Sequence, residues 1–213
     1  MFDFHCHSIF SDGELIPAEL LRRVSVLGYE AVAITDHADQ SNIELILPRI
    51  ITAARALNQM SKAKLIPGIE ITHVPPGQIA ELVMRARVLG AQIVVVHGET
   101  LVEPVEPGTN LAAIKAGADI LAHPGLISEE EVRLAAEKGV FLELSGRKGH
   151  CLANGHVAAL ARRFGAPLII NSDAHAPGDF MTEKFARQVG RGAGLSTTEV
   201  NNLYRQVRER FLK

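Results

Sequence analysis

Two histidines, His5 and His7, stand one residue apart near the start of the chain. In a β-strand, the side chains of residues i and i+2 point to the same face. If residues 2–7 form a strand, the spacing predicts two neighbouring imidazoles, with Phe4 and Cys6 on the opposite face. Imidazole is a common ligand of transition-metal ions, so the pair is a candidate metal site if further ligands reach it.

Further histidines and carboxylates stand at or just beyond the polar ends of short apolar runs. Together with the first pair, these candidate ligands are His5, His7, Asp12, His37, Glu70, His97, His123, Asp173 and His175. Imidazoles and carboxylates without a thiolate suit zinc, manganese or iron (Zn, Mn or Fe). Because one catalytic zinc takes three or four protein ligands, this larger set predicts two or three divalent metal ions.

The secondary-structure elements that must position these ligands repeat one sequence pattern. A helical segment is followed by a glycine and then by a short β-branched run that ends in polar residues. Glycine is the usual left-handed C-cap of a helix, and short apolar runs are typical of buried parallel strands. The runs end at His7, His37, Glu70, His97, His123, Glu143 and Asp173. Their spacing is close to the roughly 30 residues of one βα unit, which predicts seven units.

Strands that alternate with helices indicate an α/β protein with a parallel sheet. Seven units favour a closed barrel over an open, doubly wound sheet, and 213 residues are fewer than the roughly 250 that eight units need. No linker or low-complexity segment divides the chain, so residues 1–213 are predicted to form a single domain. In a βα barrel the carboxyl ends of the strands share one rim, where the ligands would meet.

Helical periodicity predicts helices over 17–27, 78–89, 154–164 and 197–212. Ser128 with Glu131, and Ser196 with Glu199, fit capping boxes at two further helix starts. The stretch 101–109, with two prolines and a glycine, is predicted to be a loop. We expect the last helix to pack on the outside of the barrel.

The composition argues against several classes of protein. The formal net charge is −2, which provides no overall basic surface for a nucleic-acid backbone. Cys6 and Cys151 are too few for a disulfide scaffold and are expected to be reduced. No run approaches the roughly 20 apolar residues of a membrane span, and no signal peptide is apparent. We therefore expect a soluble, cytoplasmic protein with no membrane partner.

The motifs HCHSIFSDG, ITDHA, GIEITH, VVHGE, LAHPG and NSDAH, in this order, resemble those of the PHP (polymerase and histidinol phosphatase) superfamily. The resemblance extends from residue 3 to about residue 175. It implies a distorted (β/α)7 barrel and a trinuclear site in which all nine candidates are ligands. Glu70 would bridge two ions, and Asp12 occupies a position that some members fill with histidine. The loop 101–109 and the stretch SGRKGHCLANGH match no particular subfamily.

The resemblance and the ligand set together predict a metal-dependent phosphoesterase. Metal-bound hydroxide would attack the phosphorus atom of a small metabolite, similar to histidinol phosphate or a nucleotide. A third ion on Asp12, His37 and His175 would help to neutralise the phosphate. One alternative is a nuclease acting on short oligonucleotides. Another is a non-catalytic RNA-binding barrel like a protein subunit of ribonuclease P, which the complete ligand set and the charge make less favourable.

Substrate-binding residues are predicted from position and charge. Arg147 and Lys148 follow the sixth strand and are candidate phosphate ligands, because both carry a cation to the rim. His73 stands three residues after Glu70 and could line the site. Either His73 or a metal-bound water could protonate the leaving oxygen.

Each of three carboxylates near the candidate ligands has two alternative roles. Glu143 either hydrogen-bonds a metal-bound histidine or caps a loop. Asp3 either orients His5 or His7 or is a buried structural carboxylate. Asp36 either has a structural role or hydrogen-bonds a metal-binding residue. The remaining histidines are His150, in the loop after strand six, and His156, which is expected to be structural on a helix.

Overall fold

Short β-branched runs build a nearly closed parallel barrel in this computed structural model, which describes residues 1–212. The strands are β1 (Phe2–Asp3), β2 (Ala31–Ile34), β3 (His37–Ala38), β4 (Lys64–Ile71), β5 (Ile93–His97), β6 (Ile120–Ala122), β7 (Phe141–Ser145) and β8 (Leu168–Asn171). They follow the order β1-β2-β4-β5-β6-β7-β8, and β3 also pairs with β4. Because β2 and β3 keep one register against β4, they are two segments of a single barrel strand. The prediction of seven βα units in an α/β barrel is confirmed.

Eight helices surround the strands in the described chain. They are α1 (Pro17–Val26), α2 (Ile43–Leu57), α3 (Pro76–Leu89), α4 (Thr109–Ala116), α5 (Glu129–Lys138), α6 (Asn154–Phe164), α7 (Glu183–Gly192) and α8 (Thr197–Phe211). Both predicted capping boxes are present, at Ser128 and Ser196. Helix α3 begins two residues earlier than predicted, because Pro76 occupies its first turn, where proline's missing N–H costs nothing. Helix α7 had not been predicted; the Thr182 side chain caps its start by accepting from Phe185 N.

The seam between the first and last strands is closed by side chains. The predicted strand over residues 2–7 is reduced to Phe2–Asp3 and an isolated parallel bridge between Cys6 and Ala174. Between these points Phe4 N donates to Asn171 Oδ1 (3.0 Å), and Ser172 N donates to Asp3 Oδ2 (3.0 Å). Side-chain oxygens therefore replace the ladder bonds, which lets the backbone bend while its buried amides remain paired.

The barrel strands are buried almost throughout, which explains their nearly continuous apolar runs. Both cysteines are free: Cys6 is buried at the seam, and Cys151 is exposed. Within residues 1–212, no helix has the length and apolar character that crossing a bilayer requires.

Candidate metal centre

The carboxyl ends of the strands surround an open cavity of about 380 Å³. Six of the nine predicted ligands line it: Asp12, His37, His97, His123, Asp173 and His175. The other three, His5, His7 and Glu70, are almost completely buried next to them. The side chains that the sequence scatters over more than 160 residues thus meet at one end of the barrel, as the alternation of strands and helices predicts.

The first pair of histidines lies where β1 meets the seam. The rings of His5 and His7 have centroids 5.2 Å apart, and both side chains are fully buried. Nδ1 of His5 donates to Glu143 Oε2 (2.8 Å), which turns its Nε2 toward Glu70. A carboxylate on the far nitrogen of an imidazole is the usual way to fix a metal-binding tautomer.

Glu70 lies at the centre of the cluster and is fully buried on β4. Its Oε1 is 3.2 Å from His5 Nε2, and its Oε2 is 2.6 Å from His37 Nδ1 and 3.7 Å from His7 Nε2. Burial alone would raise the pKa of Glu70, but the imidazoles of His5 and His37 hold it well below its ordinary value. Its two oxygens therefore face imidazoles that belong to two different donor groups.

A second group forms around Asp12, which comes from the loop after β1. Asp12 Oδ1 lies 3.5 Å from His37 Nε2 and 3.3 Å from His175 Nε2. The ring of His7 stacks on that of His175, with centroids 4.1 Å apart. Nδ1 of His175 lies 2.9 Å from the carbonyl oxygen of Asp173 and 2.8 Å from Arg147 Nη1, and its Nε2 faces Asp12.

A third group joins the ends of β5 and β6 to Asp173. The rings of His97 and His123 meet edge to face, with centroids 4.5 Å apart. Asp173 Oδ1 is 3.3 Å from His7 Nε2, and its Oδ2 is 3.8 Å from His123 Nε2. Burial, together with the carboxylates of Glu70 and Glu143, raises the pKa of Asp173 to about 7, although the imidazole of His5 opposes this shift.

Nitrogen and oxygen atoms of these side chains converge closely enough to hold metal ions. Within each of four overlapping groups, one ligand atom per residue lies within 4.8 Å of the others. The groups are His7–Asp12–His37–His175, His5–His123–Asp173, His5–His7–Glu70 and Glu70–His97–His123, which together contain all nine predicted ligands.

Buried polar atoms without partners test whether this donor set fits metal ions. In the described chain these atoms are His5 Nε2, His7 Nδ1, His7 Nε2, Glu70 Oε1, His123 Nδ1 and Glu143 Oε1. All but the last belong to predicted ligands. Because an unpaired buried polar group costs about 1–3 kcal/mol, such a concentration at one place indicates a missing charged partner. Divalent cations fit this requirement, and the imidazole and carboxylate donors suit Zn, Mn or Fe.

Backbone strain is concentrated at the same place. His73, His123 and Asp173 are the non-glycine residues with left-handed φ in residues 1–212, at 52°, 27° and 55°. Such conformations cost about 1–3 kcal/mol each and persist where the surrounding structure enforces them. Their clustering indicates that the barrel end is built to present these side chains rather than to minimise local energy.

The three predicted substrate-binding residues occupy different positions. Arg147 lines the cavity and donates from Nη1 to the carbonyl oxygen of Asp173 (3.0 Å). His73 also lines the cavity, at its exposed side, where Nε2 is 3.1 Å from Glu103 Oε2. Lys148 is exposed and lies outside the cavity, beside a separate surface depression with Asp179 and Phe185.

Glu103 and His150 are among the cavity residues that the sequence does not predict as site residues. Glu103 comes from the loop 101–109, and His150 from the stretch after β7. His150 Nδ1 is 2.8 Å from Thr100 Oγ1, and its ring stacks on His123 with centroids 4.1 Å apart. The available signals were weak: an acidic residue in an irregular loop near the rim, and a histidine three residues after Arg147.

The structure distinguishes between the alternatives for the three supporting carboxylates. Glu143 contacts His5 and also accepts from Asn171 Nδ2 (3.0 Å), so it supports the ligand and does not cap a loop. Asp3 accepts from backbone amides at the seam, which is a structural role. Asp36 accepts from Ser8 N and Ser8 Oγ, both at 2.7 Å, and thereby fixes the loop that carries Asp12.

Comparison with known proteins supports the fold and the order of the motifs. The model of the PHP domain matches residues 3–146. A Methanocaldococcus jannaschii protein with the name uncharacterized protein MJ1295 is 48% identical over 214 residues, covering 100% of this chain and 98% of that protein. Ribonuclease P protein component 3 of Methanosarcina barkeri is 25% identical over 227 residues, covering 99% of this chain and 88% of that protein.

A solved structure provides a comparison of the fold alone. A candidate histidinol phosphatase, hisK, of Listeria monocytogenes superposes with a TM-score of 0.63 at 11% identity. The match covers 87% of this chain and 99% of that one. The barrel therefore extends over almost the whole of both chains.

Proposed function

The chain belongs to the PHP domain family, and from that premise we propose that it is a metal-dependent phosphoesterase with a trinuclear site. The observation that carries the proposal is the convergence of nine donor side chains around unpartnered buried atoms. The substrate class is a small phosphorylated metabolite similar to histidinol phosphate or a nucleotide. A cavity of about 380 Å³ matches the usual size of a small-molecule site.

We propose that the candidate ligands divide among three ions. His5, His7 and Asp173 would hold one ion, and His97 with His123 a second, with Glu70 bridging the two. The third would be held by the remaining group, Asp12, His37 and His175. Divalent ions in such a site lower the pKa of water and neutralise the charge of a phosphoryl group.

The other residues position the ligands and the substrate. Glu143 keeps Nε2 of His5 directed toward the centre, and Thr72 Oγ1, 2.7 Å from His37 Nδ1, supports a second ligand. Arg147 brings a guanidinium to the cavity wall, where it can donate to the non-bridging oxygens of a phosphate. His73 lines the exposed side of the cavity, where its imidazole is a candidate to protonate the leaving oxygen.

The experiment that tests this function measures phosphate release from a panel of phosphorylated metabolites, with Mn²⁺, Zn²⁺ or Fe²⁺ supplied. We expect release that depends on the metal and stops when a chelator is added. Absence of release from every monoester in the presence of bound metal would contradict the proposal.

A second candidate is a nuclease that acts on short oligonucleotides, because the same chemistry cleaves phosphodiesters. The relative whose name is ribonuclease P protein component 3 favours a link to RNA. Shortening of labelled oligonucleotides without phosphate release from monoesters would support this function. A non-catalytic RNA-binding role would instead show salt-dependent RNA binding with no cleavage, which the net charge of −2 disfavours.

A further inference from the structure

A more exposed group of donors lies at the mouth of the cavity, beside the nine ligands. One donor atom each from His73, His97 and Glu103 lies within 4.8 Å of the others. The side chains of His73 and Glu103 are 39% and 37% exposed, whereas His97 is only 3% exposed. The mouth group therefore extends from solvent to the edge of the buried cluster.

His97 belongs to both groups. It shares the mouth group with His73 and Glu103, and it shares a buried group with Glu70 and His123. Those two inner partners have side chains that are 0% and 1% exposed. Both groups border the same open cavity, so an ion that enters through its mouth meets the exposed His73 and Glu103 before it reaches the buried Glu70 and His123.

The spacing at the mouth matches a metal coordination shell. Glu103 Oε2 is 3.1 Å from His73 Nε2 and 3.0 Å from His97 Nε2. In a tetrahedral site with bonds of about 2.0–2.1 Å, neighbouring ligand atoms are roughly 3.3 Å apart. Both imidazoles thus approach the same carboxylate oxygen at about the spacing that a shared ion would require.

His97 has one nitrogen available for an ion. Its Nδ1 is 3.2 Å from the carbonyl oxygen of Gly98, which can only accept, so Nδ1 carries the hydrogen and donates it. The remaining Nε2 can coordinate at the mouth or in the buried group, but not in both at once. An ion held by His97 can move inward by exchanging His73 and Glu103 for Glu70 and His123.

The mouth group is held in place before any ion arrives. His150 Nε2 lies 3.3 Å from Glu103 Oε1, and Thr100 Oγ1 lies 2.8 Å from His150 Nδ1. His73 has a left-handed backbone with φ of 52°, a conformation that persists only where neighbouring contacts enforce it.

We propose that His73 and Glu103, with His97, form a loading site through which a divalent transition-metal ion reaches Glu70 and His123. The two imidazoles and one carboxylate suit Zn²⁺, Mn²⁺ or Fe²⁺. This inference rests on the proposed function only in that the buried ligands bind metal. An ion binds only transiently at the loading site. The site therefore changes the rate of metal exchange and not the final amount of bound metal.

The test follows zinc exchange in the full chain. Release from the zinc-loaded protein to an excess of chromogenic chelator, and reloading by Zn²⁺, are timed for the wild type and Glu103→Gln. We expect both rates to fall by about tenfold in the variant, because binding at the mouth would weaken by the roughly tenfold loss in affinity that removing a supporting group causes at a metal site. Ion content after long incubation should equal that of the wild type.

The control variant is Glu106→Gln. Glu106 is exposed on the same loop, and its backbone carbonyl, which the substitution retains, accepts from Thr109 Oγ1. It should exchange zinc at the wild-type rate. Circular dichroism checks that all variants are folded.

Two results would overturn the loading site. Wild-type exchange rates in Glu103→Gln would show that ions enter elsewhere, and a lower final ion content would show that Glu103 is a permanent ligand. A wild-type protein that holds no zinc would instead contradict the proposed metal centre itself, so the two failures are distinguishable.

Discussion

Glu70 is the side chain on which the proposed metal centre depends most. We expect Glu70→Gln to reduce kcat/KM for phosphate release by at least about 100-fold, since several kcal/mol of charge stabilisation depend on the bound metals. The amide keeps the size of the carboxylate but cannot bring its negative charge to two ions. Steady-state kinetics and metal analysis provide the measurement. Glu81→Gln, on the exposed surface of α3, is the matched control. Full activity in Glu70→Gln would eliminate the bridging role.

Arg147 and Lys148 are adjacent cations with different surroundings. Arg147 lines the cavity, whereas Lys148 lies outside it. If the guanidinium binds the phosphate of the ground state, Arg147→Ala should raise KM about tenfold, or roughly 1.4 kcal/mol, with little change in kcat. Lys148→Ala should raise KM much less. Michaelis curves on one substrate separate these outcomes, and an unchanged KM in Arg147→Ala would remove it from the substrate site.

The convergence of most candidate ligands could be predicted from the sequence because they stand at or just beyond the ends of strands. Strand ends meet at one rim, so position in the chain translates directly into position in space for residues such as His97 and His123. Glu103 and His150 could not be predicted in this way. They come from irregular segments, where no periodicity relates sequence position to direction, and only the folded loop brings Glu103 to His97.

At the scale of elements, the loop after β6 requires glycine at position 125. Gly125 has a φ of 59°, and a Cβ at this position would overlap the carbonyl oxygen of Glu99. Gly125→Ala should therefore displace the loop that follows His123, with a loss of stability of about 1–3 kcal/mol from strain and a lower metal content. Urea unfolding and metal analysis measure both effects.

Gly155 provides the matched control for Gly125. It lies in the first turn of α6, and within the described residues a Cβ there would meet nothing within 4 Å. Gly155→Ala should be neutral or stabilise the protein by about 0.4–1 kcal/mol, because alanine has less freedom in the unfolded chain. Equal losses in the two variants would show that the strain at Gly125 is not the cause.

Elements themselves were predictable where periodicity and caps agree, and less so where tertiary contacts replace regular hydrogen bonds. Helix α8 could be located from its capping box at Ser196, and β5 from its apolar run. The end of β1 could not, since Asp3 and Asn171 take over the backbone pairing at the seam. These side-chain hydrogen bonds depend on partners that lie far away in the sequence.

For the whole molecule, one end of the barrel concentrates buried polar groups without partners, where we expect ions to bind. Six buried atoms without partners in residues 1–212 lie together there, while the strands below are packed with apolar side chains. The apolar region of the strands can therefore be stable by itself, while the carboxyl ends of the strands depend on bound metal.

Metal binding should accordingly raise the melting temperature. Ions that bind the folded chain stabilise it by RT ln(1 + [L]/Kd), about 2.7 kcal/mol per site at one hundred times Kd. For a chain of this size each kcal/mol corresponds to roughly 2–4 °C, so Tm should fall by about 5–10 °C per site when a chelator removes the ions. Differential scanning calorimetry with chelator, and then with Zn²⁺ or Mn²⁺ restored, measures the shift. In Glu70→Gln the shift should shrink, because the bridging carboxylate is lost. Identical melting of the wild type with and without chelator would mean that the polar cluster is satisfied without metal.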